Sequence, residues 1–160
     1  MRRALTATKM FFWPLVSISV VLLAGCALHG IDRSDTNVML NGAQEVPPLN
    51  TLARGIGTIS IGADRSVSGK VTTSGIVATA AHIHVGAADQ NGPVIIPLTK
   101  TVGDFWSVPA GAKLTDAQFE SYKAGNLYVN VHTAANKGGE IRGQITRTWV
   151  GRWKGQTTNP

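Results

Sequence analysis

Three histidines are the residues of this sequence with the most chemistry to offer. Two stand in Ala81-His82-Ile83-His84-Val85-Gly86, and the third ends Leu127-Tyr128-Val129-Asn130-Val131-His132. In an extended strand, side chains at i and i+2 share a face. His82 and His84 therefore point one way, and Ile83 and Val85 the other. In the second segment Leu127, Val129 and Val131 share one face, with Tyr128, Asn130 and His132 on the opposite one. Placing the apolar faces on the core predicts that all three imidazoles face outward. If the two strands are neighbours, about 4.8 Å apart, the imidazoles converge on one patch.

Three neutral imidazoles are a donor set for copper or zinc. Neither segment offers a thiolate or a carboxylate, so copper is the expected ion. Ring nitrogens within about 3–4 Å of one another would suit metal–nitrogen bonds of about 2 Å. The competing reading is three surface imidazoles that are solvated or bonded to backbone, and an H-x-H pattern alone does not choose between them. The fourth histidine, His29, lies outside both segments.

Other chemistry is poorly represented. The nine acidic residues are scattered, and neither a G-x-S-x-G nor an H-E-x-x-H motif occurs, which argues against a hydrolase. Glu45 and Glu140 are expected to bond backbone or arginine groups.

The elements that must position the histidines read as β. From Val38 onward, short runs rich in Val, Ile and Thr are punctuated by Gly, Asn, Asp and Pro. The pattern predicts strands over 37–41, 54–62, 66–73, 80–86, 93–99, 105–108, 126–133 and 139–148. Ala63-Asp64-Arg65-Ser66 reads as a tight hairpin turn, after which Val67, Gly69 and Val71 alternate with Ser68, Lys70 and Thr72. One helix is expected, because Thr115-Asp116-Ala117-Gln118 is a capping-box pattern. Phe119 and Tyr122 follow on one face, and Gly125-Asn126 ends the helix. The expected fold is an all-β sandwich carrying one short helix in a connection.

The N-terminus has a different character. Arg2, Arg3 and Lys9 precede the apolar run Met10 to Leu23, which is short for a spanning helix of about 20 residues and fits a signal peptide. Leu23-Ala24-Gly25-Cys26 resembles the bacterial lipobox, and Cys26 is the sole cysteine. The expectation is a signal peptide over 1–25, then lipidation at Cys26 and a tether over 27–36. A domain over 37–148 and a tail over 149–160 follow. Removing the signal takes away three of the 15 basic residues and leaves 12 − 9 = +3, which is no nucleic-acid footprint. Ala27 after Cys26 resembles the outer-membrane sorting signal of Gram-negative lipoproteins. The protein is therefore expected in the cell envelope, on the outer membrane facing the periplasm. Trp149 and Trp153, beside Arg147, Arg152 and Lys154, could meet a membrane surface or a partner; the favoured expectation is a last strand with an ordinary tail.

Taken together, several motifs resemble those of the CHRD family, which is named after chordin and is common in bacterial secreted proteins. They are Leu40-Asn41-Gly42-Ala43-Gln44-Glu45-Val46-Pro47-Pro48, the His82 segment, Asn91-Gly92-Pro93-Val94, Gly125 to Thr133, and Gly139-Glu140-Ile141-Arg142-Gly143-Gln144-Ile145. That resemblance implies an immunoglobulin-like Greek-key sandwich over about 37–147. A second, weaker similarity links His82-Ile83-His84-Val85-Gly86 and Val131-His132 to the copper strands of Cu,Zn superoxide dismutase. It implies copper ligation by His82, His84 and His132, with Arg142 as a guiding arginine for superoxide. The stretch 86–104 contains no histidine, so a zinc subsite is not implied. Two functions follow as expectations. One is a copper-binding lipoprotein that handles periplasmic copper or has copper-only superoxide dismutase-like activity. The other is a non-catalytic envelope module without metal, whose protein partners, a second copy included, are open.

Overall fold

A computed structural model describes residues 33–146. The signal segment, Cys26, His29 and the tail with Trp149 and Trp153 lie outside the described residues. Among the described residues, nine strands form one antiparallel sheet. They are β1 (Arg33–Asn41), β2 (Arg54–Gly62), β3 (Val67–Ser74), β4 (Ala78–Val85), β5 (Val94–Pro97), β6 (Thr99–Lys100), β7 (Phe105–Ser107), β8 (Leu127–Thr133) and β9 (Ile141–Gln144). One α-helix, α1, spans Asp116–Lys123. Among the described residues no helix is long and apolar enough to cross a membrane.

β1, β2 and β3 form a meander joined by local sequence. Asp64 accepts the Ser66 N–H at 3.1 Å, and Arg65 takes the left-handed φ of 67° that closes the turn. β4 is not a neighbour of β3. The link 75–77 carries the chain across the core, so the strand order is β5-β4-β8-β9-β1-β2-β3-β7-β6. The two ends of this order, β5 and β6, are separated in the chain by Leu98 alone. Leu98 is buried, and its N–H donates to the Ala81 carbonyl at 2.9 Å. The sheet thus curls until its edges nearly meet, a flattened barrel that leaves little open edge for another chain to pair with.

The predicted run 93–99 is therefore two strands rather than one. Val94–Pro97 pairs with β4 and Thr99–Lys100 with β7, because the chain passes from one half of the sheet to the other at Leu98. β1 starts at Arg33, four residues before the predicted strand, and pairs with β2 along its whole length. Residues 33–36, which the expectation assigned to a tether, are strand. β2 occupies the predicted span.

The alternation read from the sequence faces the core as expected. Ile83, Leu127, Val129 and Val131 are fully buried, with Val38, Leu40, Ile59, Val71 and Ile141 opposite. Burying each such side chain contributes about 1.5–3 kcal/mol. α1 has the predicted capping box: Thr115 accepts from Gln118 N–H, and the Gln118 side chain returns the bond to Thr115 N–H. Gly125 ends it at φ 77°, and Tyr122 is buried in the core.

Candidate metal centre

β4 and β8 are adjacent and antiparallel, with His84 opposite Tyr128, His82 opposite Asn130 and Ala80 opposite His132. This register brings the three histidines together. Nδ1 of His82 lies 3.0 Å from Nε2 of His132, and the ligand atoms of all three lie within 4.8 Å of one another. Two bonds of about 2.1 Å span about 4 Å at most. The closest pair already meets that limit, and the full set requires the rings to draw together by less than about an ångström. His82, half-buried and the most exposed of the three, has the freedom to do so.

The face that carries them is not the open outer surface expected from alternation. Every residue of β8 is buried; His84 is 7% exposed and His132 9%. Two loops and a short turn roof the face: 42–51, 86–92 and 134–140. Glycines let them descend. At Gly139, φ is 135° and an added Cβ would strike the Asn130 side chain. A Cβ on Gly92 would strike the Val85 carbonyl. Alternation reports only which face lies away from the main core; it is silent about loops that fold back over that face.

The roof also sets the tautomers. His84 Nδ1 lies 2.9 Å from the Gly92 carbonyl, and His132 Nδ1 lies 3.0 Å from that of Lys137. A carbonyl only accepts, so both Nδ1 atoms carry the proton and both Nε2 atoms present lone pairs. His84 Nε2 is buried with no hydrogen-bond partner. His132 Nε2, being unprotonated, accepts from His82 Nδ1–H. Burial is the largest cause holding all three imidazoles below their ordinary pKa, so they are neutral at pH 7. Backbone carbonyls that fix the ring orientation of metal-binding histidines are a recurring feature of metal sites.

Arg142 occupies a different position from a guiding arginine. It is 1% exposed. Its guanidinium donates to the carbonyls of Ala87 at 2.5 Å and Gln90 at 3.1 Å, and to Gln144 Oε1 at 3.3 Å. It also stacks on Tyr128, with Cζ 3.5 Å from the ring centre. Tyr128 in turn stacks on His84, 4.8 Å between centres and 12° from parallel. Arg142 thus stands behind Tyr128 from His84, whose charged form it opposes through space, and its donors are taken up by loop 86–92 and Gln144. Gln144 secures the same loop through Gly86 O at 2.9 Å.

The two acidic residues diverge. Glu140 is held by hydroxyls and an amide rather than by backbone or arginine: Thr133 at 2.7 Å, Asn136 at 3.1 Å and Thr51 at 3.0 Å. Its carboxyl sits below the usual range, chiefly through the Thr133 bond. Glu45 is 5% exposed; it takes a weak bond, at 3.4 Å, from the Asn130 amide and has the Val46 N–H beside it. Burial pushes its pKa up to about 7, against the opposing charge of Arg142. Sequence reasoning assigned no role to Tyr128 or Asn130, although both share the face of His132. Their positions were visible in the alternation; their partners, distant in sequence, were not.

A family model for the CHRD domain matches residues 36–145. No curated protein and no solved structure matches the chain. The family match spans more than half of the chain and contains all three histidines, Glu45 and Arg142, so this chain belongs to the CHRD family.

Proposed function

We propose that this protein is an envelope-anchored lipoprotein whose CHRD domain binds one copper ion through His82, His84 and His132. The observation that carries the metal reading is the bare Nε2 of His84. It is a buried lone pair with no donor in the protein, beside a second lone pair on His132. An unpartnered buried acceptor costs about 1–3 kcal/mol, and a Lewis acid is the partner that all three rings can share. Nε2 of His84 and His132 and Nδ1 of His82 would hold the ion, the last after its proton moves to Nε2. The all-nitrogen donor set favours copper in the ordinary affinity order.

Bound copper would supply one-electron chemistry, and superoxide disproportionation is the enzymatic extension of this reading. The protein's part is to keep two rings fixed by carbonyls and to leave the His82 side accessible. The anchor rests on the lipobox-like Leu23-Ala24-Gly25-Cys26 after the apolar run.

Copper titration of the purified chain tests the centre. One equivalent is expected to bind, and binding is expected to vanish in the double variant H82A/H132A. Unchanged binding in that variant would sink the reading. Labelled palmitate tests the anchor: incorporation is expected in the wild type and absent in C26A.

A further inference from the structure

The polar layer beneath the roof contains more than the three imidazoles. Of the buried polar side-chain atoms without a partner among the described residues, three lie in this one layer: His84 Nε2, Glu45 Oε1 and Asn130 Oδ1. Asn130 is the hub. It faces His82 across β4 and β8 and Arg142 across β8 and β9, and it stands two residues from both Tyr128 and His132. Its amide carries Glu45 on one side and the Gly138 carbonyl, at 3.3 Å, on another. Directly opposed side chains in a sheet have Cβ atoms about 5 Å apart. The Glu45 carboxyl is therefore one side chain removed from the His82 ring.

Three neutral imidazoles bring no negative charge to a dication, and an uncompensated charge in a buried site is costly. Glu140 does not fill this role. It is bonded to Thr133, whose side chain alternates to the other face of β8 from His132, and three donors already satisfy it. Resting on the metal reading above, we propose that Glu45 is the counter-ion of the centre, keeping its proton in the metal-free domain and releasing it when a dication enters. The carboxyl O–H bond breaks, the proton leaves to buffer, and the electron pair stays on the carboxylate.

The groups facing Glu45 set the balance. His82 on β4 and His132 on β8, both held below their ordinary pKa by burial, are uncharged at neutral pH. Arg142 on β9 is the resident cation, and burial outweighs it, so the metal-free carboxyl is still largely protonated just below neutrality. Asp89 in the roof loop pairs electrostatically with Arg142 and weakens that cation's pull. A dication adds the positive charge that tips the balance.

Copper(II) titrated calorimetrically into the full chain at pH 6.5, in two non-coordinating buffers of different ionisation enthalpy, counts the protons released. At that pH a carboxyl with a pKa about 7 is roughly three-quarters protonated. The wild type is therefore expected to release about 0.7 proton more per copper than E45Q. Infrared spectra of the wild type give a second reading that needs no variant: a protonated-carboxyl band present before copper and lost on saturation. Equal proton release by wild type and E45Q, or a band unaffected by copper, overturns the counter-ion role and leaves the metal site intact. A wild type that takes up no copper overturns the metal reading, and the role of Glu45 with it.

Discussion

Nε2 of His132 lies 3.0 Å from Nδ1 of His82, and the Lys137 carbonyl behind His132 fixes which atom carries the proton between them. With Nδ1 of His132 donating to that carbonyl, Nε2 is the acceptor and His82 the donor. The metal-free pair is a hydrogen bond whose atoms are those a metal would claim.

Metal binding should therefore raise the stability of the folded domain. At free metal about 100-fold above its dissociation constant the gain is about 2.7 kcal/mol, which for a domain of this size is a rise in Tm of roughly ten degrees. Thermal melts with and without copper(II) measure it. H84A is expected to lose the rise, because it removes the lone pair that is already bare.

The metal-free domain should respond to pH through two opposed groups. Burial lowers the imidazole pKa values in the folded state below the ordinary 6.5. The unfolded chain then binds the more protons, so stability falls as pH drops below 6.5 and is fully present above it. Glu45 has the opposite sign. Its folded pKa of about 7 lies above the ordinary 4.5, so its contribution is present below 4.5 and lost as pH rises through 7. E45Q removes only the second term. Relative to wild type, it should gain on the order of 2–3 kcal/mol between pH 5 and pH 8. Urea melts at the two pH values check the difference.

Arg142 should resist even a conservative exchange. Lysine cannot reproduce a planar fork that reaches Ala87 and Gln90 while lying flat on Tyr128. R142K is expected to destabilise the domain by about 2–4 kcal/mol, read from urea melts. Amide exchange should quicken in loop 86–92 ahead of the rest of the sheet.

Gly139 is a backbone requirement of the site. G139A places a Cβ against the Asn130 amide at a positive φ, which costs about 1–3 kcal/mol. It should also weaken copper binding, because the 134–140 loop carries the Lys137 carbonyl. A variant at the distant helix cap, T115A, should lose about 1 kcal/mol with copper affinity unchanged. Titrating copper into both separates loss of the loop from loss of stability alone.

Local features were legible in the sequence because their causes are local. The capping box of α1 needs only Thr115 and Gln118, three residues apart. The span of β2 and the turn at Asp64 and Arg65 follow from neighbours within a few positions. The alternation around His82, His84 and His132 correctly named the side of each strand that lies away from the main core, since that period is a property of extended backbone itself. The choice of three histidines needed nothing more.

Tertiary structure alone decided whether they meet. The β4–β8 pairing joins segments about fifty residues apart, and no local signal encodes that register. It also decided that the histidine face is covered, because the residues of 42–51, 86–92 and 134–140 do not by themselves dictate that these segments fold back over the strands. The roof made Arg142 a buried clamp on loop 86–92. It also buried Glu45 with few donors, so that its carboxyl titrates at about 7. The sequence by itself determined which side chains share a face; tertiary folding determined what lies over that face, near loops and remote ones alike, and so set their tautomers, charge states and partners.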